Sequence, residues 1–344
     1  MKKIGILTGG GDCPGLNAVI RAVVRRASGN YNVETLGIRE GWRGLVSGNV
    51  EPLTNYSVTG ILHRGGTILG TSRTNPYKSS EDVQRTLTNI KKFGVDSIIA
   101  VGGEDTLGVA CRLYKDYQLN IVGVPKTIDN DLQGTDYTFG FDTAVHIATE
   151  AIDRIHTTAE SHHRIMVVEV MGRHTGWIAT VAGMAGGADC ILIPEQPLTI
   201  QEVADIIRKR HSTGRKFSIV VVAEGFVPAG MEVKYEKEKT DDFQHIRLGG
   251  IGNLIGQKLE ELTNIDTRVI ILGHIQRGGT PTAYDRVLAT RFGVKAVDMV
   301  MNGEFGKMAA LKGSDIVSVS LEEVTKGRKN VNMELYEIAK VFFG

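Results

Sequence analysis

The stretch "VDSIIAVGGEDT", residues 95–106, sets the strongest limit on how this 344-residue chain folds. Ser97–Val101 is a short β-branched apolar run, two glycines follow it, and a helical pattern near Leu107–Tyr117 comes next. The same grammar recurs along the chain. Lys3–Thr8 runs into Gly9-Gly10-Gly11-Asp12 and a helix over Asn17–Ala27, and Ile121–Pro125 ends in the polar stretch Lys126–Asp131. Ile165–Val170, Cys190–Ile193, Ser218–Ala223 and Val269–Leu272 read as further strands, alternating with helical patterns near 143–157, 201–210, 251–262 and 285–301. Continuous apolar strands separated by helices pack as mainly parallel sheets covered on both faces, an α/β fold. Such sheets bind ligands at the carboxyl ends of their strands.

The length allows two domains with separate cores, and a break falls near 140, where Phe139-Gly140-Phe141 precedes a new helix. With 40 basic and 39 acidic side chains the formal charge is +1, which gives no bulk attraction to nucleic acid or an anionic membrane. Cys13, Cys111 and Cys190 form no CxxC pair, so neither a metal cluster nor a disulfide framework is expected, and a reducing cytoplasm fits. The opening MKKIGILTGGG meets glycines too soon for a signal peptide or a membrane span.

The chemically loaded residues sit at the predicted strand ends. The amides of Gly10 and Gly11, aimed at a helix start, suit phosphate oxygens, although a glycine turn by itself is often only a tight turn. Arg73, in the glycine- and threonine-rich GGTILGTSRTNP, is either a solvated charge or a bidentate clamp on phosphate. In PKTIDND, Lys126 and Thr127 precede Asp129 and Asp131, with Asn130 between the carboxylates. That stretch reads as a capping turn or as a site where an aspartate takes a hydroxyl proton beside a phosphate-neutralising lysine. MGRHTGW, AEG and LGHIQRGG place Arg173, Glu224, His274 and Arg277 at strand ends, a set resembling a sugar-phosphate pocket. Arg164 and Arg268 stand at strand starts and so face the opposite edge of the sheet, while His162 and His163 read as structural. Glu104 and Asp142 are too scattered to define a metal box from spacing, although kinase-type chemistry needs Mg2+ held by one or two carboxylates and substrate phosphates.

The ordered set GGGDCPGLN, GGTILGTSR, GGEDT, PKTIDND, SHHRIMVVEVMGRHTGW, VVAEG and TRVIILGHIQRGG resembles the phosphofructokinase family over nearly the whole chain. The resemblance implies two Rossmann-like three-layer domains with the active site in the cleft between them. Residues 1–140 with about 276–326 would bind the phosphoryl donor, and 141–275 with about 327–344 would bind fructose 6-phosphate. It implies transfer of a phosphoryl group to O1 of that sugar, with Asp129 as general base, Thr127 and Asp131 beside it, and Glu104 holding Mg2+. Gly11 and Arg73 match donor-phosphate positions. Met171, Gly172, Arg173, Glu224, His274 and Arg277 match the sugar-phosphate site. Arg164 and Arg268 match residues that reach a neighbouring subunit's site, so a homodimer or homotetramer is implied.

Two positions depart from the pattern of ATP-using members, which carry glycine where this chain has Asp105 and commonly where it has Lys126. A carboxylate at 105 fills and repels the place of a third phosphate, and Lys126, its expected counter-charge, can bind the leaving phosphate of a shorter donor. The pair resembles the pyrophosphate-dependent branch. An ATP-dependent enzyme of the same fold, a NAD kinase-like enzyme and a non-catalytic sugar-phosphate sensor are the competing readings. Arg21 and Arg25 match arginines of the bacterial allosteric site, but Asn55 and His156 stand where further arginines are expected, so little allosteric control is anticipated.

Overall fold

The computed structural model describes residues 2–231 and 250–344. In chain order the strands are β1 (Lys3–Thr8), β2 (Glu34–Ile38), β3 (Val50–Leu53), β4 (Ser97–Gly102), β5 (Ile121–Thr127), β6 (Phe139–Gly140), β7 (Ile165–Val170), β8 (Cys190–Leu192), β9 (Ser218–Ala223), β10 (Thr267–Ile271), β11 (Lys307–Lys312) and β12 (Asp315–Ser320). Among the described residues, one compact unit takes 2–143 and 277–328, and a second takes 144–231, 250–276 and 329–344.

In the first unit the strands run β12-β11-β5-β4-β1-β2-β3, with β6 pairing β5. The pairs from β11 through β2 are parallel, whereas β2–β3 and β11–β12 are antiparallel. Every residue of β4 is buried, which is the burial a doubly covered parallel strand requires. Ile6, Leu7, Ile99 and Val101 are fully buried, and each such side chain contributes about 1.5–3 kcal/mol relative to exposure. The strand order reverses between β1 and β4, and this switch point is where an open α/β sheet leaves room for a ligand. The turns after β1, β4 and β5 therefore lie side by side.

The second unit carries a four-stranded parallel sheet in the order β10-β7-β9-β8. Its core gathers Val167, Val220, Val222, Ile207, Ile255 and Leu259 from the sheet and its flanking helices. The buried carboxylate of Glu169 on β7 accepts the amides of Gly250 and Gly252 and so anchors the start of the helix Ile251–Thr263. No helix among the described residues is long and apolar enough to cross a membrane.

Candidate active site

The switch-point turns of the first unit place the residues expected to meet the phosphoryl donor. After β1, Gly10 donates to the Ser72 carbonyl (3.0 Å) and the Thr71 hydroxyl donates back to the Gly10 carbonyl (2.6 Å). This reciprocal pair fixes the Arg73 segment against the glycine turn. Lys126 ends up within β5, 4% exposed, and its Nζ donates to the Gly11 carbonyl at 2.5 Å. Burial pushes the Lys126 ammonium below its usual range, and Arg277 and Arg73 push the same way, while Cys13 and Asp12 favour its charge. Its hydrogen-bond partner is the Gly11 carbonyl, and Asp12 is a carboxylate that supports the lysine charge. Arg277 lies so close to Gly11 that a Cβ there would meet its Nη1 at 1.9 Å, so any larger residue at 11 would displace the guanidinium from the turn. The Nε of Arg277 is buried with no hydrogen-bond acceptor among the described residues. Lys126, Arg277 and Arg73 together form a cationic set around the Gly11 turn, which is an arrangement suited to phosphate oxygens.

The end of β4 differs from the expected loop. Gly103 is the N-cap and the helix begins at Glu104, so Glu104 and Asp105 occupy the first turn of Glu104–Tyr117. Carboxylates in that turn complement the helix dipole, which explains why the helix starts before Leu107. Glu104 pairs with Arg328, with Nη2 and Oε2 2.8 Å apart.

After β5 the PKTIDND turn is built from within. The Asp129 amide donates to Thr127 Oγ1 (3.0 Å), and buried Asn130, at φ 51°, accepts the Thr138 amide (3.1 Å). Thr138 Oγ1 donates to the Thr127 carbonyl (2.8 Å). Asn130 thus pins the turn that carries Asp129 and Asp131. Burial, then the neighbouring Asp129 charge, pushes the Asp131 carboxyl up to about 7; Arg328 opposes the rise and Glu104 adds to it. Negative charge is therefore crowded at this turn, and a cation would relieve it.

In the second unit, β10, β7 and β9 are neighbours, so their carboxyl-end loops adjoin. Met171, Gly172 and Arg173 follow β7, Glu224 follows β9, and His274 follows β10. The Glu224 amide donates to the Val170 carbonyl (2.9 Å), the Gly225 amide to that of Gly172 (3.0 Å), and Leu272 to that of Glu169 (3.0 Å). A Cβ on Gly225 would fall 1.9 Å from the Arg173 carbonyl oxygen, so the two loops touch backbone to backbone. Fully buried Gln276 accepts the Met171 amide (3.3 Å) and donates to the Gly273 carbonyl (3.1 Å), locking the His274 turn to the Met171 turn. Gln276 is a positioning residue that single-motif reading passes over, although it stands inside HIQRGG. Arg277 is grouped above with His274, but it falls in the first unit beside Gly11 and Lys126. Arg164 and Arg268 lie at the amino edge of β7 and β10, opposite these loops, and both pair with Asp266. His156 binds the Gly186 carbonyl (2.7 Å), a structural role.

A family model described as phosphofructokinase matches residues 3–300. The chain is 58% identical over 343 residues, 99% of its length and 100% of the relative's, to a pyrophosphate--fructose 6-phosphate 1-phosphotransferase of Amycolatopsis methanolica. It is 53% identical over 329 residues, 96% of each chain, to ATP-dependent 6-phosphofructokinase 3 of Streptomyces coelicolor. A crystal structure of the Pichia pastoris phosphofructokinase superposes with a TM-score of 0.83 at 34% identity, covering 99% of this chain and 36% of that one.

Proposed function

The chain belongs to the phosphofructokinase family, and from that premise we propose that it is a pyrophosphate-dependent phosphotransferase, a diphosphate–fructose-6-phosphate 1-phosphotransferase. It moves a phosphoryl group from pyrophosphate to O1 of fructose 6-phosphate, giving fructose 1,6-bisphosphate and orthophosphate, and it does so reversibly. Relatives named for pyrophosphate reach 56–58% identity, above the 53% of the ATP-dependent 6-phosphofructokinase 3. The observation that carries the choice is Asp105 in the first turn of the helix after β4, with buried Lys126 on adjacent β5. A third phosphate at that helix start would meet the carboxylate, whereas a two-phosphate donor is served by Lys126, Arg73 and the Gly11 turn.

In the transfer, Asp129 accepts the O1 proton, O1 bonds to the nearer phosphorus, and the bridging P–O bond breaks. The leaving orthophosphate takes its negative charge toward Lys126 and Arg73, and Thr127 and Asp131 flank the base. Phosphoryl transfer asks a protein mainly for alignment and charge neutralisation, which is what these groups supply. The crowded carboxylates fit one divalent cation in the manner of Mg2+, held by Glu104 with phosphate oxygens. When bound, Mg2+ neutralises charge on the donor. Met171, Gly172, Arg173, Glu224, His274 and Arg277 hold the sugar phosphate. Arg164 and Arg268, oriented by Asp266, serve a neighbouring subunit's sugar phosphate in a homodimer or homotetramer of cytoplasmic enzyme. Residues 1–140 with about 276–326 form the donor domain, and 141–275 with about 327–344 the sugar domain.

The test is turnover of purified protein with fructose 6-phosphate, Mg2+ and either pyrophosphate or ATP. Turnover with pyrophosphate is expected, and turnover with ATP alone refutes the donor assignment. Asp129→Asn loses about 10²–10⁴ in rate as a general-base variant does; an unimpaired variant removes Asp129 from the mechanism.

A further inference from the structure

Arg328 lies far along the chain from the carboxylates it meets. Its backbone is bound to the segment just after the Asp129–Asp131 turn: Leu132 and Arg328 form an antiparallel bridge, and Gln133 Nε2 donates to the Arg328 carbonyl at 2.6 Å. The side chain, held from that base, places its guanidinium 2.8 Å from Glu104. The same positive charge acts on Asp131, whose carboxyl it draws back toward the ionised form. A single arginine thus answers the acidic helix start after β4 and the acidic turn after β5. Arg328 is also the last residue of the first unit before the chain enters the second at Lys329.

We infer that Arg328 is a built-in counter-cation for Glu104, which a divalent cation must displace, and that it thereby weakens uptake of free metal. The inference rests on the reading of Glu104 as the metal carboxylate. An arginine delivers positive charge but no coordination vacancy, so it satisfies the resting site without supplying the metal's role. A free cation gains one carboxylate and must break an ion pair. A cation arriving on a phosphate donor brings further oxygen ligands with it and meets the same barrier with more to offset it. Arg328 therefore favours loading of the metal–donor complex over loading of the bare ion. The ion pair is about a third exposed, with both side chains at 37%, so its competition is modest.

The experiment is a Mn2+ titration of the full chain without substrates, read by the electron paramagnetic resonance of the free ion. Because the links to Leu132 and Gln133 are made by the Arg328 backbone, Arg328→Gln keeps them. It is expected to bind Mn2+ about two- to fivefold tighter than the parent, the size set by a partly exposed ion pair. Arg328→Lys, which keeps the charge, stays closer to the parent. Glu104→Gln weakens Mn2+ binding, and in that background Arg328→Gln changes nothing further. If Arg328→Gln binds Mn2+ equally or more weakly while Glu104→Gln still lowers affinity, the counter-cation inference falls and the Glu104 assignment stands. If Glu104→Gln binds Mn2+ as the parent does, the Glu104 assignment itself falls and carries the inference with it.

Discussion

Replacing Lys126 by Met separates the electrostatic job of that side chain from its packing. Methionine keeps the unbranched apolar stem in a position that is 4% exposed and deletes only the ammonium and its bond to the Gly11 carbonyl. In the free protein two effects nearly cancel. One backbone acceptor loses a partner, at about 1 kcal/mol. Against that, a buried cation pressed by Arg277 and Arg73 is removed, which relieves a desolvation cost. The unfolding free energy is therefore expected to stay within about 1 kcal/mol of the parental value. Catalysis has no such cancellation, because the ammonium meets charge that grows on the leaving phosphate. Loss of one preorganised donor of this kind costs about 10²–10³ in rate, or about 3 kcal/mol. The assay is steady-state formation of fructose 1,6-bisphosphate with pyrophosphate varied at saturating sugar phosphate, alongside a thermal melt. The pH dependence supplies a second signature. The folded-state pKa of Lys126 lies below the ordinary lysine value of 10.5. Between those two values the unfolded chain binds more protons, so Lys126 adds stability as pH rises through that window. Pyrophosphate turnover falls over the same rise as the ammonium is lost. The Met variant should lack both trends. A variant within tenfold of parental kcat/KM for pyrophosphate would refute the reasoning.

Two other perturbations probe the acidic turns. The folded pKa of Asp131 is raised from 3.8 to about 7, so the folded chain binds the proton more tightly between those values and stability falls as pH rises from about 4 to 7. Asp131→Asn removes that slope: its melting temperature should gain on the parent from acid to neutral pH, and parallel curves would dismiss the crowding argument. Asp105→Gly, alone and with Lys126→Gly, should raise ATP turnover by roughly tenfold or more, since a like charge facing a phosphate costs several kcal/mol. Glycine in the helix's first turn costs about 1 kcal/mol of stability, and no gain in ATP use would show that Asp105 does not exclude the third phosphate.

The strands that carry the site were legible because they are buried on both faces. SIIAVG, IMVVEV and SIVVVA are continuous apolar runs, and a run of that kind between glycine turns has few other places to go. Less legible were β2 and β3, and the β11–β12 hairpin, where β12 is half exposed and its pattern is short. The helix Ser80–Phe93 was also passed over, although Ser79 followed by Asp82 is a readable cap: the Ser79 hydroxyl accepts the Asp82 amide at 3.1 Å. Residue types at strand ends were visible for the same reason as the strands. Their partners were not. Arg328 has no periodicity that points to Glu104, and Gln276 acts through one buried amide group tying two loops of the second unit. Such contacts depend on which strands adjoin, and single-chain spacing does not encode sheet order.

Sheet register brings an acidic helix start and the buried Lys126 to one place. Gly102 on β4 stands opposite Pro125 on β5, so the next residue on each strand, Gly103 and Lys126, is brought level. The helix after β4 therefore begins with two carboxylates beside the strand whose ammonium faces the Gly11 turn. A helix start carries about half a positive charge and ordinarily draws a phosphate to itself. Here Glu104 and Asp105 occupy that field from within the chain, and Arg328 balances Glu104. The positive charge lies with Lys126 on adjacent β5, with Arg73 and Arg277 near enough to act on it. On the proposed assignment, the donor that fits is one whose phosphates end at β5 and do not extend across the first turn of the helix.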